Sequence, residues 1–177
     1  MIYNVAQLLK DPIGATRVYD LHETADLLTD IPARAPYVGH LKLTHLNEGI
    51  LAEARIVTVV EVACRRCLRP VQLPLELEFV EEYRPSIDIN SGAPVLKREG
   101  EEYFTLDERH TLDLTEAVRQ YAWTNLPQFA LCREDCAGLC AMCGRDLNEG
   151  PCDCQQESTD PRLAVLGCLL GESERSQ

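Results

Sequence analysis

Six cysteines crowd one stretch of the chain, spaced Cys132-x3-Cys136-x3-Cys140-x2-Cys143-x8-Cys152-x-Cys154. Nothing else in the sequence narrows its folding options so sharply, because thiols at this density end as disulfides, redox pairs or metal ligands. Short Cys-x2-Cys turns let two sulfurs converge on one ion at about 2.3 Å, and a second pair closes a tetrahedron. Gly138, Gly144 and Gly150 stand where such turns need permissive backbone. The segment holds few apolar residues of its own, so a bound ion, not burial, is expected to give it shape.

Another pair, Cys64-Arg-Arg-Cys67, lies between two strand-like segments and so at the tip of a hairpin, the usual position of a zinc knuckle. A thiol oxidoreductase pair instead opens a helix, whose N-terminus lowers the thiol pKa. Strand context on both sides argues against that. Eight cysteines fill two four-sulfur sites and leave Cys168 as an ordinary buried thiol. The preferred partition gives Cys140, Cys143, Cys152 and Cys154 one zinc. Cys64, Cys67, Cys132 and Cys136 then share a second, which ties the hairpin to the tail. A single tail zinc drawn from the six, with the hairpin pair unligated, is the alternative, and spacing leaves both open. Either way the zinc, one or two ions per chain, is expected to be structural, because closed thiolate sites keep no position for water.

The N-terminal stretch from Met1 to Lys10 lacks the basic and long apolar regions of a secretory signal. No apolar run reaches the roughly 18 residues of a membrane span. A cytoplasmic location with no membrane association is therefore expected, and in a reducing compartment clustered cysteines favour metal over disulfides. The net charge of −12 repels phosphate backbones at long range, so any contact with nucleic acid must be local. Arg65, Arg66 and Arg69 place positive charge beside the hairpin thiols. Neutralisation of the zinc site is the favoured reading, and a small contact to RNA phosphate or a partner is the other. His22, His40, His45 and His110 show no ligand or catalytic spacing, and no phosphate-binding loop or nucleophile elbow occurs. The run Glu76, Glu78, Glu81, Glu82 reads as a solvated strand face. These absences point away from an enzyme or a small-molecule substrate.

With 45% apolar and only 6% aromatic residues, the core must be mostly Leu, Val, Ile and Ala. Val5–Leu9 suggests a short helix, Ala15–Leu21 an extended segment, and the prolines at 32 and 36 a connection. Leu41 and Leu43 alternate with polar neighbours, and Asn47-Glu48-Gly49 supplies a turn. The β-branched run from Leu51 to Val62 predicts a long strand near the sheet centre. Val71, Leu73, Leu75, Leu77 and Phe79 then alternate strictly with polar residues, and Pro74 argues for an edge position. Residues 84–100 predict a turn-rich, mobile loop, and 103–106 a short strand. Asp113 and Glu116 match a capping box for a helix with Leu114, Ala117, Val118, Tyr121 and Ala122 on one stripe. Asp160-Pro161 predicts the start of a final helix. The expected class is α+β: an antiparallel meander packed with a few helices (residues 1–127), followed by a cysteine-rich zinc-ribbon-like segment and C-terminal helix (residues 128–177).

These motifs together resemble the YceD family, the large ribosomal RNA subunit accumulation proteins. The features that carry the likeness are Cys64-Arg-Arg-Cys67-Leu68, the alternating strand ending in Glu81-Glu82-Tyr83, and the helix from Asp113 to Leu126-Pro127. The tail adds Cys140-x2-Cys143-Gly-Arg-Asp-Leu-Asn148-Glu-Gly-Pro-Cys152-Asp-Cys154 and Asp160-Pro161-Arg162. The resemblance implies a non-enzymatic ribosome biogenesis factor that supports large-subunit rRNA accumulation, with a large-subunit precursor or ribosomal protein as partner and limited rRNA contact. A thiol redox protein using Cys64 and Cys67, or a zinc-ribbon transcription module, are the competing readings.

Overall fold

The computed structural model describes residues 1–89, 91–95 and 103–154. The elements in chain order are β1 (Ile2–Asn4), β2 (Thr16–Glu23), β3 (Tyr37–His45), β4 (Ile50–Ala63), β5 (Pro70–Pro85), β6 (Phe104–Leu106), β7 (Thr111–Asp113) and the helix α1 (Thr115–Asn125). Strands β2 to β5 pair in sequence order as an antiparallel meander, as the alternating segments predict. The β-branched run becomes β4, bonded on both sides, which is where a strand buried along one whole face belongs.

β4 and β5 form one continuous hairpin, paired from Ile50–Tyr83 at the base to Ala63–Pro70 at the top. This long ladder carries the Cys64-Arg-Arg-Cys67 turn away from the body of the sheet. Its inward residues, Ala54, Ile56 and Val60 on β4 and Leu75, Leu77, Phe79 and Tyr83 on β5, are buried. Ala117, Val118 and Ala122 of α1 pack against β5, and Val5, Leu8 and Leu9 of the N-terminal segment belong to the same core. Phe79 stacks on Tyr121 with centroids 4.6 Å apart, and the Tyr121 hydroxyl donates to Glu81 at 2.7 Å. Each large side chain removed from water here contributes about 1.5–3 kcal/mol before entropy is counted.

The structure departs from several of these expectations. The described residues hold one α-helix, with short 3-10 turns at Leu8–Lys10, Ala25–Leu27 and Leu147–Glu149; Val5–Leu9 makes such a turn instead of a helix. β5 is not an edge strand along its whole length. β6 runs parallel beside its end, from Tyr83–Phe104 to Pro85–Leu106, so β5 continues into the predicted loop. Pro74 sits earlier, opposite Val59; among the described residues no strand pairs on its far side, so its missing N–H interrupts no ladder there. Asp113 accepts from the Thr115 N–H at 2.9 Å, but Glu116 turns to Arg119 and Gln120, so the reciprocal half of the capping box is not made. The pairing of β1 with β7 has no counterpart in the sequence pattern. The final helix expected from Asp160, with Cys168, and parts of the 84–100 loop lie outside the described residues.

Candidate metal centres

The hairpin ladder ends at Ala63, and the chain turns through Cys64 to Cys67 before β5 begins. The Leu68 N–H donates to the Cys64 carbonyl at 2.9 Å, and the Cys64 N–H to the Arg69 carbonyl at 2.8 Å. The same two bonds recur in the tail: Gly144 N–H to Cys140 O at 2.9 Å and Cys140 N–H to Arg145 O at 2.8 Å. The two Cys-x2-Cys turns are thus one backbone device used twice. The residue after the second cysteine is left-handed in both, with φ of 60° at Leu68 and 73° at Gly144. A glycine takes that conformation freely, whereas leucine takes it at a cost of about 1–2 kcal/mol.

The tail closes over the hairpin tip. The Arg65 N–H donates to the Ala130 carbonyl at 2.9 Å, and the Leu139 N–H to the Arg66 carbonyl at 3.1 Å. Gly138 has φ of 78°, and a Cβ there would stand 3.1 Å from the Arg66 carbonyl oxygen. These contacts bring Cys132 and Cys136 to Cys64 and Cys67. Cys64, Cys67 and Cys136 are buried, and Cys132 is exposed. The remaining four, Cys140, Cys143, Cys152 and Cys154, gather in a second cluster. In each foursome all sulfurs lie within 4.8 Å of one another.

The donor sets fit a soft or borderline ion. A tetrahedron with bonds of about 2.3 Å has edges of about 3.8 Å. Cys64 and Cys136 sulfurs are 3.9 Å apart, and Cys67 and Cys132 sulfurs 3.6 Å, far beyond a disulfide bond. Electrostatics agree with the geometry. Backbone N–H groups of Cys67, then Arg66 and Cys132, are aimed at the Cys64 sulfur and lower its pKa to about 6. The Cys143 and Met142 N–H groups do the same for Cys140, also to about 6. Desolvation of its sulfur and its cysteine neighbours push Cys132 up to about 12, and the Cys143 thiol together with desolvation pushes Cys154 up to about 12, although both residues are otherwise exposed. Four sulfurs this close cannot all ionise beside one another; a central divalent cation would remove that conflict.

The three arginines singled out in the sequence are used differently. Arg66 donates to the carbonyls of Cys136 at 2.9 Å and Glu134 at 3.2 Å, holding the tail down. Arg69 pairs with Asp146 at 2.7 Å and Glu149 at 2.6 Å. Arg65 lays its guanidinium 5.3 Å from the centre of the exposed Phe129 ring. The sequence alone assigns no role to Phe129, Asp146 or Asn148; the last two flank Leu147 in an Asx-rich turn, which is the one signal they carry. His40 pairs with Asp20 and His45 with the Asp11 carbonyl, both at 2.8 Å. Glu76 and Glu78 stand on the exposed face of β5, as expected of a solvated strand face, whereas Glu81 and Glu82 are half-buried and accept from Tyr121 and Arg84.

Fold and site together define a small, mostly antiparallel sheet protein whose long hairpin and tail meet through clustered cysteine turns. Its family follows from comparison with known proteins. The model described as "Large ribosomal RNA subunit accumulation protein YceD" matches residues 52–170, and the chain belongs to that family. An uncharacterized protein of Mycobacterium tuberculosis is 29% identical over 97% of this chain and 82% of its own length. A chloroplastic protein of Zea mays, named as a YCED homolog for large ribosomal RNA subunit accumulation, is 22% identical over 90% of this chain and 63% of its own. No solved structure matches.

Proposed function

We propose that this protein is a non-enzymatic, cytoplasmic factor in biogenesis of the large ribosomal subunit, with two structural zinc ions. Cys64, Cys67, Cys132 and Cys136 would hold one ion, and Cys140, Cys143, Cys152 and Cys154 the other. The observation that carries the metal part is the separation of eight thiols into two foursomes of tetrahedral size. Family membership carries the ribosomal part. When bound, zinc supplies cross-linking and charge compensation, and closed sulfur sites offer no water for hydrolysis. Its binding free energy is folding free energy for the tail.

On this reading residues 1–127 form the sheet domain and 128–177 a segment that depends on metal for its order. The partner is a large-subunit precursor or one of its proteins, with any rRNA contact confined to the Arg65 and Phe129 side of the tip. No described helix is long and apolar enough to cross a membrane. A tagged copy should recover large-subunit precursor RNA and proteins from cells; recovery of neither counts against the ribosomal reading. The rival use of Cys64 and Cys67 as a redox pair is tested by thiol titration. The metal-loaded protein should react only after a chelator is added, whereas a redox pair reacts at once.

A further inference from the structure

Asn148 belongs by sequence to the second cluster, in the loop between Cys143 and Cys152, yet its side chain works at the first. Its Oδ1 accepts from the Ala137 N–H at 2.9 Å and from Arg133 Nη2 at 2.7 Å. Both partners are donors only, so they fix which end of the amide is oxygen. The Nδ2 end therefore faces the Cys136 sulfur, 3.4 Å away, as an N–H···S donor.

The same loop is anchored beside the first cluster in two further ways, once to the hairpin and once to the tail. Asp146 takes the Asn148 N–H at 2.8 Å and Nδ2 at 2.6 Å on one oxygen, and Arg69 at 2.7 Å on the other. Arg69 stands two residues beyond Cys67. The Leu147 N–H donates to the Gly138 carbonyl at 2.8 Å, two residues beyond Cys136. Residues that reach past one cluster are thus held in shape by a loop whose ends, Cys143 and Cys152, are ligands of the other.

We infer that Asn148 is a positioning residue for the metal of the Cys64–Cys67–Cys132–Cys136 centre, and that through its loop the two centres fill cooperatively. The inference rests on the zinc reading above. An ion at the second centre orders the loop and presents the Asn148 N–H to Cys136. By reciprocity an ion at the first favours the loop conformation that the second requires. Loss of an outer hydrogen-bonding partner of this kind typically weakens metal binding about 10- to 100-fold.

The test titrates metal-free, full-length protein with Co²⁺, followed by sulfur-to-cobalt charge-transfer absorption and native mass spectrometry. At one equivalent, two equal and independent sites would leave roughly half of the chains with a single ion; cooperative filling leaves far fewer, with metal-free and two-ion chains dominant. Asn148→Ala and Asn148→Asp should each weaken the first centre about tenfold or more and move its charge-transfer band to lower energy. The Cys152→Ser/Cys154→Ser variant should weaken the first centre although it leaves those four ligands intact. Independent uptake of two ions, with band and affinity unchanged by Asn148 substitution, overturns the inference and leaves the zinc reading standing. No Co²⁺ uptake by the wild-type chain overturns both. The wild-type mass distribution needs no variant, so a poorly folding substitution does not block the test.

Discussion

The twin turns make a comparison in which the same substitution logic must give opposite signs. Leu68 and Gly144 occupy equivalent left-handed positions, with φ of 60° and 73°. Nothing lies within 4 Å of a Cβ built on Gly144, so Gly144→Ala adds no collision, and the backbone strain of about 1–2 kcal/mol outweighs the gain from alanine's stiffer unfolded chain, leaving a net loss. Leu68→Gly removes that strain and sacrifices little packing, since Leu68 is 64% exposed. Against the relief stands the extra freedom glycine has when unfolded, about 0.4–1 kcal/mol. The net change runs from near zero to a gain of about 1.6 kcal/mol, or up to about fifteenfold in the folding or metal-retention equilibrium. Chelator-driven zinc release from each variant, read with a colorimetric indicator, measures both effects beside urea unfolding. Gly144→Ala should release metal faster and Leu68→Gly no faster than the parent. If Leu68→Gly loses more than about 1 kcal/mol, or Gly144→Ala is neutral, the left-handed turn is not what shapes these sites.

Other consequences can be checked independently. Arg69→Ala breaks the pairs with Asp146 and Glu149, but Arg69 is half exposed, so urea unfolding should show only a small loss that shrinks as salt rises. Leu77→Ala opens a void at a fully buried position and should cost about 2–5 kcal/mol in urea unfolding, while zinc content measured at low denaturant stays unchanged. Hydrogen bonds from Arg119 and then Gln120 lower Glu116 to about 2. A depressed folded-state pKa contributes stability that is complete above the usual glutamate range and fades as pH falls toward about 2. The urea midpoints of the parent and Glu116→Gln should therefore differ at pH 6 and converge in strong acid, and a gap that widens on acidification contradicts the assignment.

Much of this molecule is legible in its sequence where the pattern is long or chemically restrictive. The β-branched run predicts the central strand, strict alternation identifies the inner face from Leu75 to Phe79, and one apolar stripe locates α1. The cysteine spacing offers two partitions, and the sulfurs group as the two-centre one requires. What stays hidden depends on tertiary proximity. Three residues carry no usable period, so the β1–β7 pair leaves no signature, and although the sequence predicts the short strand at 103–106 it does not reveal that β6 pairs in parallel with β5. Asn148 reaches Cys136 from a loop held to Arg69 of the hairpin and to Gly138 of the tail, and no spacing rule encodes that. The capping box fails for a local reason: Arg119, one turn along, competes for Glu116 as a charged bidentate donor.

Whether thiolates gather ions to shape the tail is decided most directly by counting metal in the protein as purified from cells. Elemental analysis combined with thiol titration should find two zinc ions per chain and eight protected cysteines that become reactive together when chelator is added. A natively folded chain that carries no metal, and whose clustered thiols react at once, would contradict the account.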